Sequence, residues 1–212
     1  MSDVYIVEAV RTPVARGKEN GGLHDIHPVE LLAGVLEELC TRAGVDKGHV
    51  DDIIAGCVSP IGEQGANIAR LALLKAGFPV EVPGVQLNRM CGSSQQAVHF
   101  GSQAIASGDM DLVIASGIEM MSRVPMGSDW GGLTEEFLAG FPFPLRPMGI
   151  CAEDIATEWD LSRHDLDAYS AQSHGRAAAA TEAGAFKSQI MPMTVTVDGE
   201  TRVLDVDEGF RK

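Results

Sequence analysis

The chain has 212 residues, 45% of them hydrophobic and 22% charged, enough apolar material for a core in one large domain or two small ones. With 30 acidic against 16 basic residues the net charge is −14, which argues against sequence-independent nucleic-acid binding and against anchoring on anionic lipid, and leaves a polyanionic small substrate compatible only where a local cationic patch receives it. No apolar run approaches the ~20 residues that span a bilayer, and Met1-Ser2-Asp3 runs directly into Val4-Tyr5-Ile6-Val7 without a basic segment or cleavage site, so a cytoplasmic protein is expected.

Val4 to Val10 reads as a strand. Pro28 then opens a helix with Leu31, Leu32, Val35, Leu36 and Leu39 on one face, closed by Gly44. Ile53 to Val58 predicts a second strand, Ala66 to Ala76 a second helix ending at Gly77, and Val85 to Asn88 a short third strand. Ser94 to Ser107 predicts a third helix and Leu112 to Ser116 a fourth strand. This β-α-β-α-β-α-β order implies right-handed crossovers and a mixed, mainly parallel sheet, so the fold class is α/β. The third helix is small nearly all round (Ala97, Gly101, Ala104, Ala106), which predicts tight packing or burial with its N-terminus inside the protein.

After Met121 the pattern changes to irregular Gly/Pro/Phe stretches, Val124-Pro125-Met126-Gly127 and Phe141-Pro142-Phe143-Pro144. This divides the chain into an α/β part, 1–121, and an inserted helical loop subdomain, 122–212. Within the latter, helices are expected from about Ile150 to Trp159 and, after the capping-box pattern Ser162-Arg163-His164-Asp165, to about Ala183. Thr194 to Val197, the turn Asp198-Gly199 and Arg202 to Val206 predict a hairpin.

The 4 cysteines, Cys40, Cys57, Cys91 and Cys151, are widely spaced and lack a C-x-x-C pair, so neither a zinc site nor a disulfide framework is indicated. Cys40 and Cys57 read as small buried hydrophobes. Cys91 stands at a strand-to-helix turn, where unsatisfied amides and the partial positive charge of the helix start favour a thiolate, the nucleophilic form. Nearby amides would also suit a developing oxyanion, and Gly92 lets a substrate approach the backbone. Helix starts host both reactive and inert cysteines, so position alone leaves both readings open for Cys91.

The segment Asn88-Arg89-Met90-Cys91-Gly92-Ser93-Ser94-Gln95-Gln96-Ala97 resembles the nucleophile motif of the thiolase family. Other segments continue the resemblance in order: Glu8-Ala9-Val10-Arg11-Thr12-Pro13, Gly56-Cys57-Val58, Gly117-Ile118-Glu119-Met120-Met121-Ser122, Met148-Gly149-Ile150-Cys151-Ala152-Glu153 and Asp207-Glu208-Gly209-Phe210-Arg211. The resemblance implies a thiolase-like fold and an acyltransferase exchanging acyl groups between 3-ketoacyl-CoA and CoA through an acylated Cys91. It also implies that Met148 lies near the acyl group and that Arg211 contacts the CoA nucleotide, although Pro147 stands where many thiolases have histidine. An ordinary gap-filling methionine and a solvated terminal arginine are the plain alternatives for these two. CoA is then a substrate, with no separate cofactor and no metal.

Glu119 and Ser122 are expected to support rather than catalyse, and His99 to be structural. Arg123, Arg146, Arg163, Arg176 and Lys187 are candidate cations for the CoA phosphates or simply solvated surface residues. By resemblance, a second α/β half would carry Gly-His-Pro and Cys-Gly-Gly segments. Neither occurs in these residues, so the second half is expected to be absent and the chain alone to turn over weakly. A homo-oligomer or a complementary thiolase C-terminal half is the expected partner. The alternatives are another condensing enzyme of the same superfamily, or a non-catalytic thiolase-like interaction subunit or fragment.

Overall fold

The computed structural model describes residues 3–197 and 199–211; Met1, Ser2, Lys212 and Asp198 of the expected hairpin turn lie outside the described residues. The chain divides into two compact units, Met1–Asp129 with Lys187–Gly209, and Trp130–Phe186 with Phe210–Lys212.

The first unit is built on alternating elements: α1 (Pro28–Ala43), β1 (Asp52–Gly56), α2 (Ile68–Lys75), β2 (Gly84–Leu87), α3 (Ser93–Ser107) and β3 (Val113–Gly117). The strands form a parallel sheet in the order β2-β1-β3, with Ile54 opposite Val85 on one side and Ala115 on the other. β1 is central, and Ile53, Ile54, Ala55 and Gly56 are all buried. Such a continuous apolar run marks a strand covered on both faces.

α1 forms where the pattern placed it because both ends are capped. The His27 side chain accepts from the Val29 N–H at 3.2 Å, and Gly44 takes the left-handed conformation (φ 65°) that closes helices. Its apolar face supplies Leu32 and Leu36 to a core shared with Ile53, Ile68 and Leu73. Each such side chain contributes about 1.5–3 kcal/mol by leaving water.

The hairpin consists of β4 (Met193–Val197) and β5 (Glu200–Leu204), paired antiparallel with Val195 opposite Arg202. Val195 and Leu204 join Leu23, Leu31 and Met120 in a second apolar cluster. Polar pins hold the approach to this hairpin: the Arg42 guanidinium donates to the carbonyls of Ser188 (2.6 Å) and Ile190 (3.3 Å). The Arg11 N–H donates to Gln189 O at 2.9 Å and Arg11 O accepts from Met191 at 2.8 Å. Arg11 also forms a two-pronged pair with Asp207, at 2.7 and 2.9 Å.

Three expectations are corrected. Val4 to Val10 forms no strand. β1 is already paired on both sides, the segment is bonded to neither outer edge of the sheet, and Tyr5, Ile6 and Val7 are 75%, 82% and 73% exposed. Its propensity is that of a strand, but a strand exists only with a ladder partner. α2 starts at Ile68 rather than Ala66 because Ala66 and Asn67 are left-handed (φ 54° and 56°) and Asn67 caps the helix through the Arg70 N–H. α3 packs closely against the sheet, where a Cβ on Gly101 would lie 3.0 Å from Val113, but it is not buried all round: Ser93, Gln96, Ala97 and Gly101 form its one buried face, while Val98 and Phe100 are exposed.

The second unit contains α4 (Glu135–Ala139), α5 (Met148–Glu158) and α6 (Arg163–Glu182). The capping box at Ser162 and Asp165 forms as its pattern predicts. None of these three helices carries a buried residue. Among the described residues no helix is long and apolar enough to cross a membrane.

Candidate active site

Asn88–Gly92 link the end of β2 to the start of α3 in a tight, over-determined turn. Met90 is left-handed (φ 48°), a conformation that costs a non-glycine residue about 1–2 kcal/mol. Several hydrogen bonds offset this. Asn88 Oδ1 accepts from the Met90 N–H at 2.8 Å, and Ser93 Oγ accepts from the Arg89 N–H at 2.9 Å while donating to Met90 O at 2.6 Å. The N–H groups of Gly92 and Ser93 close onto the carbonyls of Arg89 and Met90, each at 3.0 Å. At about 0.5–1.5 kcal/mol each, these bonds are enough to hold the strained residue.

Cys91 therefore stands one residue ahead of Gly92, the N-cap of α3, and is exposed. Among the described residues the first-turn amides of Ser94 and Gln95 have no backbone acceptor, leaving donors beside the thiol as helix geometry dictates. A cleft of about 320 Å³ opens here, lined by Cys91, Met90, Ser94, Gly56, Gly117 and Glu119 among others. Backbone atoms of α3 require glycine at the first of two close approaches here, and at the second the Ser94 hydroxyl would have to turn away. A Cβ on Gly56 would lie 2.4 Å from Ser94 N, and one on Gly117 only 1.8 Å from Ser94 Oγ. The strand ends of β1 and β3 thus touch the first turn of α3 directly.

The floor of the cleft is fixed by Glu119. Its carboxylate accepts from the N–H groups of Val58 (2.7 Å) and Ser59 (3.3 Å) and from Gln64 Nε2 (2.9 Å). Gln64 is fully buried; it also donates to Ser59 O at 2.9 Å and accepts from the Met120 N–H at 2.5 Å. Three donors occupy Glu119, which suits support rather than proton transfer. Cys57 lies at the same strand end but is buried, and desolvation, reinforced by the nearby Glu119 charge, pushes its thiol up to about 12. Cys57 therefore stays protonated and inert, while Cys91 is the accessible thiol. A larger apolar gap of about 600 Å³ runs between α1, α3 and the β3 edge beside the unpaired Val4–Val10; Cys91 does not line it.

The other residues singled out by the sequence fall in different surroundings. His99 is exposed on α3 and does not line the Cys91 cleft. Met148 and Arg211 belong to the second unit. Met148 opens α5 and is 76% exposed, and the Arg211 N–H donates to His174 Nδ1 at 3.2 Å. Of the candidate cations, Arg123 pairs with both carboxylate oxygens of Glu63 and donates to His24 O at 2.8 Å. Arg146 pairs with Asp154 at 2.7 Å and Arg163 with Asp167 at 2.9 Å. Among the described residues Arg176, Lys187 and Arg211 have no ion-pair partner, and no group of 3 or more His, Cys, Asp or Glu is placed to hold a metal ion.

Sequence reasoning did not single out Gln64, the Asn88 side chain or the contact made by Gly56. Only Gly56 carried a signal, as a glycine at the end of a strand pattern.

Comparison with known proteins places the chain. The family model described as the N-terminal domain of thiolase matches residues 4–212. Over its whole length the chain is 45% identical to a steroid 3-ketoacyl-CoA thiolase of Mycobacterium tuberculosis and 39% identical to a 3-ketoacyl-CoA thiolase of Bacillus subtilis. Over 91% of its length it is 40% identical to a β-ketoadipyl-CoA thiolase of Pseudomonas aeruginosa. The chain spans about half the length of these relatives, 53%, 56% and 52% respectively.

Proposed function

This chain belongs to the thiolase family, and on that premise we propose that it serves acyl transfer between 3-ketoacyl-CoA and CoA with Cys91 as the carrier of the acyl group. The observation that carries this reading is the accessible Cys91 thiol beside the free amides of α3, in a cleft walled by glycines and next to an inert Cys57. In the degradative direction the Cys91 thiolate attacks the C3 carbonyl of the ketoacyl chain. The C2–C3 bond breaks, its electron pair goes to C2, and a proton taken up there releases acetyl-CoA. The thiolate of a second CoA then attacks the acyl carbon, the bond to Sγ breaks, and the electron pair returns to Cys91.

Met148 is assigned to the acyl group and Arg211 to the CoA nucleotide. Support comes from the exposure of Met148 and from an Arg211 guanidinium without an ion pair among the described residues. The chemistry uses CoA as substrate and calls for neither a metal nor a further cofactor. No Gly-His-Pro or Cys-Gly-Gly segment occurs in residues 1–212, and we assign the proton-transfer groups to a complementary thiolase half; a homo-oligomer is the alternative partner, and a cytoplasmic location belongs to the same proposal. General acid/base help is worth ~10² to 10⁴ in rate, and turnover by residues 1–212 alone is lower by that factor.

The test is intact mass after incubation with acetyl-CoA or acetoacetyl-CoA. One acyl group is expected on the wild-type chain and none on Cys91→Ser. An adduct that persists in Cys91→Ser, or a wild-type chain left unmodified even with the complementary half supplied, refutes the assignment.

A further inference from the structure

We infer that Asn88 is a positioning residue for Cys91, coupling the nucleophile turn to the Glu119 anchor through its side-chain amide. This rests on the proposed role of Cys91 and adds the groups that set its geometry. The coupling runs through consecutive bonds. Glu119 accepts from the Val58 N–H at 2.7 Å, and the Val58 carbonyl accepts from Asn88 Nδ2 at 2.8 Å. Asn88 Oδ1 accepts from the Met90 N–H at 2.8 Å, and Cys91 follows.

Val58 is thus clamped at both its polar backbone groups, by a carboxylate on one and an amide on the other. A primary amide carries its donor and its acceptor on two separate atoms of one short side chain, which suits bridging a carbonyl on one side and an N–H on the other. Removing it frees the Met90 N–H at a residue whose left-handed backbone needs local support. The Asn88 side chain is exposed and takes no place in either apolar cluster, so its loss opens no cavity. Its effect is therefore expected on the orientation of Cys91 rather than on the stability of the core.

Two arms test this. In the first, amide hydrogen exchange at Met90 is compared in wild type, Asn88→Ala and Asn88→Asp. Exchange is expected to quicken in Asn88→Ala and stay slow in Asn88→Asp, which keeps the acceptor oxygen. In the second, acylation of Cys91 by acetyl-CoA is expected to fall by about 10- to 100-fold in Asn88→Ala, the scale of a misplacement of about 1 Å, with Asn88→Asp between it and wild type and melting points lowered in both only by the small amount that lost surface hydrogen bonds cost. Wild-type exchange at Met90 in Asn88→Ala overturns the inference, as does wild-type acylation. A fall in acylation as large in the core variant Leu36→Ala, which lies outside the turn and loses more stability, reduces Asn88 to a structural residue and overturns it as well. If wild type is not acylated, the proposed function fails, while the exchange arm still decides the inference about Asn88.

Discussion

Gly56→Ala tests whether the cleft depends on direct contact between strand end and helix start. The added Cβ would meet Ser94 N at 2.4 Å, Ser93 C at 2.6 Å and Ser94 Cα at 2.8 Å, where ordinary contact begins at 3.4 Å. All three are backbone atoms, so no side chain can rotate away and the first turn of α3 must retreat by about 1 Å. Overpacking of this kind costs about 1–3 kcal/mol, which lowers the melting point of a domain this size by roughly 2–12 °C. The same displacement moves the Cys91 turn relative to β1 and β3, and a shift of about 1 Å can slow a positioned reaction ~10²-fold. The assay pairs thermal unfolding with the rate of Cys91 acylation from acetyl-CoA. Gly175→Ala is the control, because a Cβ there meets nothing within 4 Å and alanine suits a helix interior better than glycine by roughly 0.5–1 kcal/mol. Wild-type melting and acylation in Gly56→Ala would show that α3 does not seat against β1 as described.

Further expectations follow from burial and charge. Of the 4 thiols, Cys91 and Cys151 are exposed and Cys40 and Cys57 buried, so Ellman's reagent should modify two in the native chain and the remaining two only on unfolding; rapid native modification of Cys57 contradicts its protected state. Arg11 beside Asp207, with a further bond from the Val14 N–H, holds the Asp207 carboxyl below the usual carboxylate range. A lowered folded pKa contributes stability above the unfolded value of ~3.9 and loses it as pH falls through the folded one. Urea melts should therefore show Asp207→Asn less stable than wild type at pH 7, with the gap narrowing at pH 3 and below; a gap that widens in acid would reverse the sign of the argument. Leu36→Ala, at a fully buried site in the main core, should cost about 2–5 kcal/mol in the same assay, and a loss below 1 kcal/mol would mean that the core closes around the deletion.

The parts legible in the sequence were those whose causes are local. α1 declares itself through Pro28, its apolar stripe and Gly44, α6 through the Ser162 capping box, and the β1 core strand through an unbroken apolar run. Cys91 could be placed before a helix start because strand pattern, turn and helix pattern lie within one short stretch. Contacts between distant segments were not legible. Val4–Val10 has strand composition, yet nothing in it states whether a partner edge is open. Asn88 and Val58 are 30 residues apart, and Arg11 and Asp207 are 196 apart; neither pairing leaves a periodic trace. Arg11 and Asp207 also show why a family-like segment is not by itself a list of functional groups. Both lie in segments that resemble the family, but their opposite charges neutralise each other and fix the chain after the hairpin to the segment before α1. Glu119 likewise satisfies the amides of Val58 and Ser59 together with buried Gln64. Among the motif residues of the first unit, Cys91 is left with an exposed reactive atom and free donors beside it, so the cleft is best understood as one nucleophile held by a frame of mutually satisfied neighbours.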